Sequence, residues 1–180
     1  LITGLAEVKI LKGLQYTLSI SSQREEINNN IYYNQFSGNA VGANGRAYRG
    51  AYENTKRVIE SYFNYDRSFG EHNIKLLGGY SWQQDRTNDG FGVTTQGYTN
   101  DLLTFYNLYF SNPITVGNIS FDNAAISTLR MISYYGRINY QYDDKYLFQA
   151  SLRNDGSSAF GKNNRWGYFP SVGLAWRLKE

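Results

Sequence analysis

Cysteine is missing from the 180-residue chain, which excludes disulfides and thiolate metal sites. Histidine occurs once, at His72, so a nucleophile–histidine pair has a single place to arise, and that place reads as an exposed turn. No stretch approaches the ~18 consecutive apolar residues of a membrane-spanning helix. The chain starts at Leu1 rather than Met, shows no basic segment followed by an apolar core, and is expected to contain no signal peptide. The net charge of +3 is dispersed with no basic stripe, so no nucleic-acid partner is expected. Proline is nearly absent, at two residues.

What the chain has in abundance is aromatic side chains, at 17%, with 17 Tyr and 10 Phe, together with 18 Gly. That is high for a soluble domain. Period-two alternation, the mark of a strand with one apolar face, recurs about six times. Near 13–22, Leu14, Tyr16, Leu18 and Ile20 alternate with Gln15, Thr17, Ser19 and Ser21. Near 57–67, Ile59, Phe63 and Tyr65 oppose Glu60, Tyr62, Asn64 and Asp66. Near 73–85, Ile74, Leu76, Tyr80 and Trp82 oppose Asn73, Lys75, Ser81 and Gln83. Near 132–142, Ile132, Tyr134, Ile138, Tyr140 and Tyr142 oppose Ser133, Arg137, Asn139 and Gln141. The next strand sets Tyr146, Phe148, Ala150 and Leu152 against Gln149, Ser151, Arg153 and Asp155. The last sets Tyr168, Pro170, Val172, Leu174, Trp176 and Leu178 against Phe169, Ser171, Gly173, Ala175, Arg177 and Lys179.

The connections alternate in length. Tight turns are expected at 69–72 and at Asp143-Asp144, and long Asn- and Gly-rich loops at about 23–51 and 87–128. Short turns at one end and long loops at the other are the habit of outer-membrane barrels, which places the long loops outside and the turns in the periplasm. Tyr134 and Tyr142, and likewise Tyr168 and Trp176, bracket their strands on the apolar face. Their eight-residue spacing gives roughly 20 Å of height for a tilted strand, close to the ~25 Å band between aromatic girdles. The expected fold is therefore all-β: an antiparallel transmembrane β-barrel, here a partial barrel of about six strands. Its membrane girdle would include Trp82, Tyr134, Tyr142, Tyr168 and Trp176, and Arg137, Asn139, Gln149, Ser151 and Arg153 would face the lumen. An antiparallel soluble sandwich is the rival.

Residues 146–178 carry more than a pattern. Asp155-Gly156-Ser157-Ser158, then Phe160-Gly161, then Arg165-Trp166-Gly167-Tyr168-Phe169-Pro170-Ser171, resembles the barrel signature of SusC/RagA-type TonB-dependent outer-membrane transporters. Ala159 departs from that pattern, where the family often has a basic residue. The resemblance implies residues 1–180 are part of one barrel domain of a much longer protein, with the signal peptide, plug and remaining strands elsewhere. It implies TonB-dependent import of a large nutrient, an oligosaccharide or peptide, across a Gram-negative outer membrane. TonB would act through the plug, and a SusD-like surface lipoprotein would cover the outer loops. A passive porin or adhesin barrel is the alternative.

Other motifs carry less. Gly156 to Asn163 comes within one residue of a phosphate-binding loop, but Asn163 stands where Ser or Thr belongs and a strand follows where a helix should begin. The carboxylate pairs Asp143/Asp144 and Glu25/Glu26 have no catalytic setting. Asn154, Asp155, Asn163 and Asn164 lack a calcium-loop pattern. No catalytic residue, cofactor or metal is expected. The second long loop gathers aromatics beside amides and a carboxylate: Tyr98, Asn100, Asp101, Tyr106, Asn107 and Tyr109 are the candidate contacts for cargo or for a lid.

Overall fold

The computed structural model describes residues 1–111, 117–122 and 125–178. Lys179, assigned above to the polar face, lies outside them. Eight strands form one antiparallel sheet: β1 (Ile2–Leu11), β2 (Leu14–Tyr33), β3 (Arg46–Phe69), β4 (His72–Gln96), β5 (Ile119–Phe121), β6 (Ser127–Tyr142), β7 (Tyr146–Ser157) and β8 (Trp166–Trp176). Their order is β1-β2-β3-β4-β6-β7-β8, with the short β5 paired to β4.

Two strands beyond the expected six are present. Leu5 and Leu11 fall on the otherwise polar face of β1 and blur its alternation, while β5 is three residues long and defined only by its pairing with Val93, Thr94 and Thr95 of β4. Three other strands outrun their expected ends. β2, β3 and β4 are 20, 24 and 25 residues long, so much of the sequence expected as loop at 23–51 and 87–96 is strand. Those extensions, such as Gln23 to Asn30 with Ile27 as its single apolar residue, lack an apolar face, and a period-two pattern needs one to be visible.

The chain divides into two units. The first comprises Leu1–Gln23, Lys56–Asp85 and Leu129–Glu180. Its hairpins are tight. Asp143 and Asp144 both adopt positive φ (50° and 49°), as a primed two-residue turn requires. Gly13 turns at φ 87°, and a Cβ there would lie 2.4 Å from the Asp66 carbonyl oxygen. One register runs through β3 and β4: Asn73 donates to Ser68 at 3.1 Å, Lys75 meets Asp66 at 3.1 Å, and Gly79 abuts Tyr62. The soluble-sandwich rival requires a second sheet on the apolar face. Among the described residues no second sheet covers that face, and Leu174 and Val172 are 80% and 71% exposed.

The second unit comprises Arg24–Thr55 and Arg86–Thr128. It packs around Ala40, Ala47 and Tyr98, all buried, with the buried hydroxyls of Thr95 and Ser111. Three single-turn 3-10 helices, Gly38–Ala40, Thr104–Tyr106 and Leu108–Phe110, shape its loops.

Candidate functional site

Pairing in the first unit sorts the side chains onto two chemically distinct faces. Arg137 pairs with Ser151 and Asn139 with Gln149, and these continue to Ser171 and Gly173. Arg153 pairs with Tyr135 on the same face. Its Nε donates to both Asp155 carboxylate oxygens at 2.7 and 2.9 Å, and its Nη2 donates to Ser133 Oγ at 3.1 Å. The five residues expected to face a lumen thus share one face with the Lys75–Asp66 pair. Charged, hydrogen-bonded groups at this density belong in water.

The opposite face is apolar. From Ile59 to Tyr65 in β3, Ile74 to Trp82 in β4, Ile132 to Tyr142 in β6 and Tyr146 to Leu152 in β7, alternate residues include no Asp, Glu, Lys or Arg. In β3 the interval is closed by Arg57 at one end and Arg67 at the other. Ten residues on a tilted strand give ~25 Å of height, the thickness of a barrel's lipid-facing band. The hydroxyls of Ser61 and Tyr16, which fall inside it, bond each other at 3.0 Å, so neither is left without a partner on this face.

Aromatic rows bound this face. Tyr142, Tyr146 and Trp176 are paired across three strands, with ring centroids 6.4 and 6.3 Å apart, and His72 joins the row 4.9 Å from Tyr142. His72 also bonds Tyr140 through Nδ1 at 2.7 Å. At the other end Tyr134 approaches Tyr80 (5.3 Å) and Trp166 (6.2 Å), and Asn154 links Tyr134 to Tyr168 by pairing. Trp82, two residues beyond Tyr80, shares their face. Tyr80, Tyr146 and His72 stand in these rows although they were not among the residues expected there. Their sequence signal was the same alternation, but only cross-strand register shows that they stand in rows.

The signature segment is a self-fastened hairpin. Asp155 and Gly156 belong to β7 and pair with Gly167 and Trp166, so the free loop is shorter than the motif. Ser157 N–H donates to the Arg165 carbonyl at 2.9 Å, and Ser158 N–H to that of Arg130 at 2.9 Å. Ser158 Oγ accepts from Arg130 N–H at 2.8 Å, while Arg165 Nε donates to the Phe160 carbonyl at 3.4 Å. Gly161 accepts from Asn164 N–H at 2.9 Å, and Phe160 is exposed. Gly156 has no side chain because Trp166 lies across it: a Cβ would sit 2.9 Å from the indole.

In the second unit the candidate loop residues separate into two groups. Tyr98 is buried, its hydroxyl 2.7 Å from Thr95 Oγ1 and its ring edge-on to Tyr32 at 5.2 Å. Asp101 accepts from the Tyr32 hydroxyl at 2.5 Å. Burial, then this bond and the Asp101 charge, push the Tyr32 hydroxyl pKa upward. Asn100 and Asn107 accept from the backbone N–H groups of Leu102 and Tyr109 at 3.0 Å each. These four hold the loop. Tyr106 and Tyr109 are 75% and 74% exposed and present their rings outward.

A cluster that sequence reasoning missed lies nearby in the same unit. The hydroxyls of Tyr48 and Tyr52 are 2.6 Å apart, and both donate to Asp122 Oδ2, at 3.1 and 2.5 Å. The bond to Asp122 and then that to Tyr48 raise the Tyr52 pKa, so this hydroxyl remains a donor. Both rings lie over Gly50 and Gly92, where a Cβ would meet a hydroxyl at 2.5 and 2.4 Å respectively. Asp122 lies 70 residues from Tyr52, so no local motif announces the group.

The model of the TonB dependent receptor-like, beta-barrel family matches residues 9–180. The chain belongs to that family. TonB-dependent receptor P3 of Formosa agariphila is 34% identical over 178 residues, covering 97% of this chain and 17% of that protein. TonB-dependent receptor SusC of Bacteroides thetaiotaomicron is 54% identical over 50 residues, 28% of this chain and 5% of SusC. The solved structure of the RagAB peptide transporter superposes with a TM-score of 0.79 at 22% identity, over 96% of this chain and 19% of that one. The chain thus spans less than a fifth of each of these relatives. This is a family of outer-membrane β-barrel receptors and transporters rather than enzymes. No helix among the described residues is long and apolar enough to cross a membrane, which says nothing against a barrel.

Proposed function

We propose that this chain is a stretch of barrel wall in a receptor that imports a large nutrient, an oligosaccharide or peptide, across the outer membrane. Arg137, Asn139, Gln149, Ser151 and Arg153 line the lumen, and the aromatic rows sit at the two lipid interfaces. The free energy comes from TonB acting on a plug outside this chain, and a SusD-like surface lipoprotein covers the outer loops. The observation that supports this most is the charge-free face ~25 Å high, backed by a polar, ion-paired one.

Tyr106 and Tyr109 then meet cargo or lid, since exposed rings beside amides offer apolar area with orienting groups. One exposed ring is worth about 1 kcal/mol. Tyr106→Ala with Tyr109→Ala is expected to weaken cargo capture or lid docking about tenfold at unchanged barrel level, measured by binding to intact cells. Deleting TonB is expected to abolish uptake while surface binding persists. Full-rate uptake without TonB would instead mean a passive channel.

The topology has its own check. Cysteines introduced at Asn29, Asn100 or Lys162 should react on intact cells with a thiol reagent that cannot cross the outer membrane. At Glu71 or Asp144 they should react only after permeabilisation. Labelling of the second group on intact cells would invert the orientation.

A further inference from the structure

We propose that Arg57 and Arg130, with Gln84 between them, form a clamp on the lipid side of the barrel rim for a phosphate-bearing headgroup of the outer leaflet. This rests on the membrane orientation proposed above. The register that joins Ser68 to Asn73, Asp66 to Lys75 and Tyr62 to Gly79 places Arg57 opposite Gln84, five residues further along. Arg130 Nε donates to Gln84 Oε1 at 3.1 Å across the next strand pair. The three side chains therefore occupy one cross-strand row on the apolar face, immediately beyond Ile59, Trp82 and Ile132. That is the first row past the charge-free band, on the side of the long loops, where lipid phosphates lie.

Neither cation meets a carboxylate among the described residues. Among the described residues the Arg57 side chain makes no hydrogen bond or ion pair, and the Arg130 side chain bonds only the neutral Gln84. Some arginines of the sheet are ion-paired: Arg24 meets Glu26 and Glu53 at 3.0 and 2.9 Å, Arg86 meets Asp89 at 2.9 Å, and Arg153 meets Asp155 at 2.7 Å. Among the described residues Arg46, Arg49, Arg67 and Arg137 are not, and what marks Arg57 and Arg130 is their shared row beside Gln84. An ion pair within the protein leaves a guanidinium little to offer a lipid, whereas Arg57 and Arg130 keep their forks free for phosphate oxygens. Two strand spacings separate them by about 10 Å at the backbone, so both can converge above Gln84. Because Gln84 Oε1 accepts from Arg130, its amide NH2 is left as a further donor toward the same space.

The test uses the full-length receptor, purified from outer membranes and placed in nanodiscs. The probes are phosphorylated lipid A, the same lipid after phosphatase treatment, and inorganic phosphate, with retained lipid quantified by mass spectrometry. Wild type should retain the phosphorylated form at least fivefold over the dephosphorylated one, with little displacement by millimolar inorganic phosphate. Arg57→Gln with Arg130→Gln should remove that preference, and Arg24→Gln should keep it. Equal retention of both lipids by wild type overturns the clamp, as does unchanged preference in the double variant. Displacement by inorganic phosphate alone would mean a free-anion site and also overturns it. Recovery of the receptor in the outer-membrane fraction is scored first: its absence there would count against the membrane reading, whereas recovery without preference counts only against the clamp.

Discussion

Leu174→Arg or Ile138→Arg in the full-length receptor is expected to cut the yield of folded barrel sharply. Leu174 is opposite Phe148 and Ile138 opposite Ala150, all on the charge-free face. Both positions lie between the aromatic rows, where arginine facing lipid costs ~2–4 kcal/mol, a large part of a typical folding free energy. Gln149→Arg and Ser151→Arg, one residue away along β7 on either side of Ala150, should assemble close to normally because their face is wet. Heat-modifiable migration of the folded barrel in outer-membrane fractions separates the two outcomes. Equal assembly of both classes would mean that the apolar face does not meet lipid.

Gly79→Val is expected to lower folded barrel as strongly, while its neighbour Gly78→Val should not. Gly79 points to the polar face, where Tyr135 lies across it. A Cβ there would sit 2.7 Å from the Tyr135 ring and 2.7 Å from the Tyr62 Cβ. The ring can swing away, but the Tyr62 Cβ is part of the paired strand and cannot. Overpacking of this kind costs ~1–3 kcal/mol and sometimes more, here together with loss of the aromatic cover over glycine. A Cβ at Gly78 would meet nothing within 4 Å, and its side chain would enter lipid. Combining Gly79→Val with Tyr135→Ala should recover only part of the loss, since the Tyr62 contact persists. Thermal unfolding of the purified barrel measures all three. Equal tolerance of valine at 78 and 79 would refute the packing argument.

Legibility in the sequence followed the solvent. Where a strand has lipid on one side and water on the other, the two environments impose opposite residue types at alternate positions, and the pattern can be read without coordinates. The faces of β6, β7 and β8 were legible from such alternation, the tight turns at Gly70-Glu71 and Asp143-Asp144 from the short breaks between alternating runs, and the hairpin from Asp155 to Ser171 from its resemblance to a family signature. Where both faces meet water the constraint vanishes, so the distal lengths of β2, β3 and β4 looked like loop, and β1 was hidden by Leu5 and Leu11.

Tertiary structure alone decided which side chains meet. Tyr48, Tyr52 and Asp122 form one hydroxyl–carboxylate group although Asp122 is 70 residues from Tyr52, and Tyr98 proved to be a buried pin between Tyr32 and Thr95 rather than an open contact. Composition marked the loop around Tyr98 as aromatic and polar, but which rings remain exposed depends on chain closure. The same holds for Arg57 and Arg130. As residues they are two of many scattered cations, and only the register of three strands puts them in one row at the edge of the apolar band without carboxylate partners. Alternation is a local property that one strand carries by itself, whereas pairing between strands depends on register, which no single strand encodes.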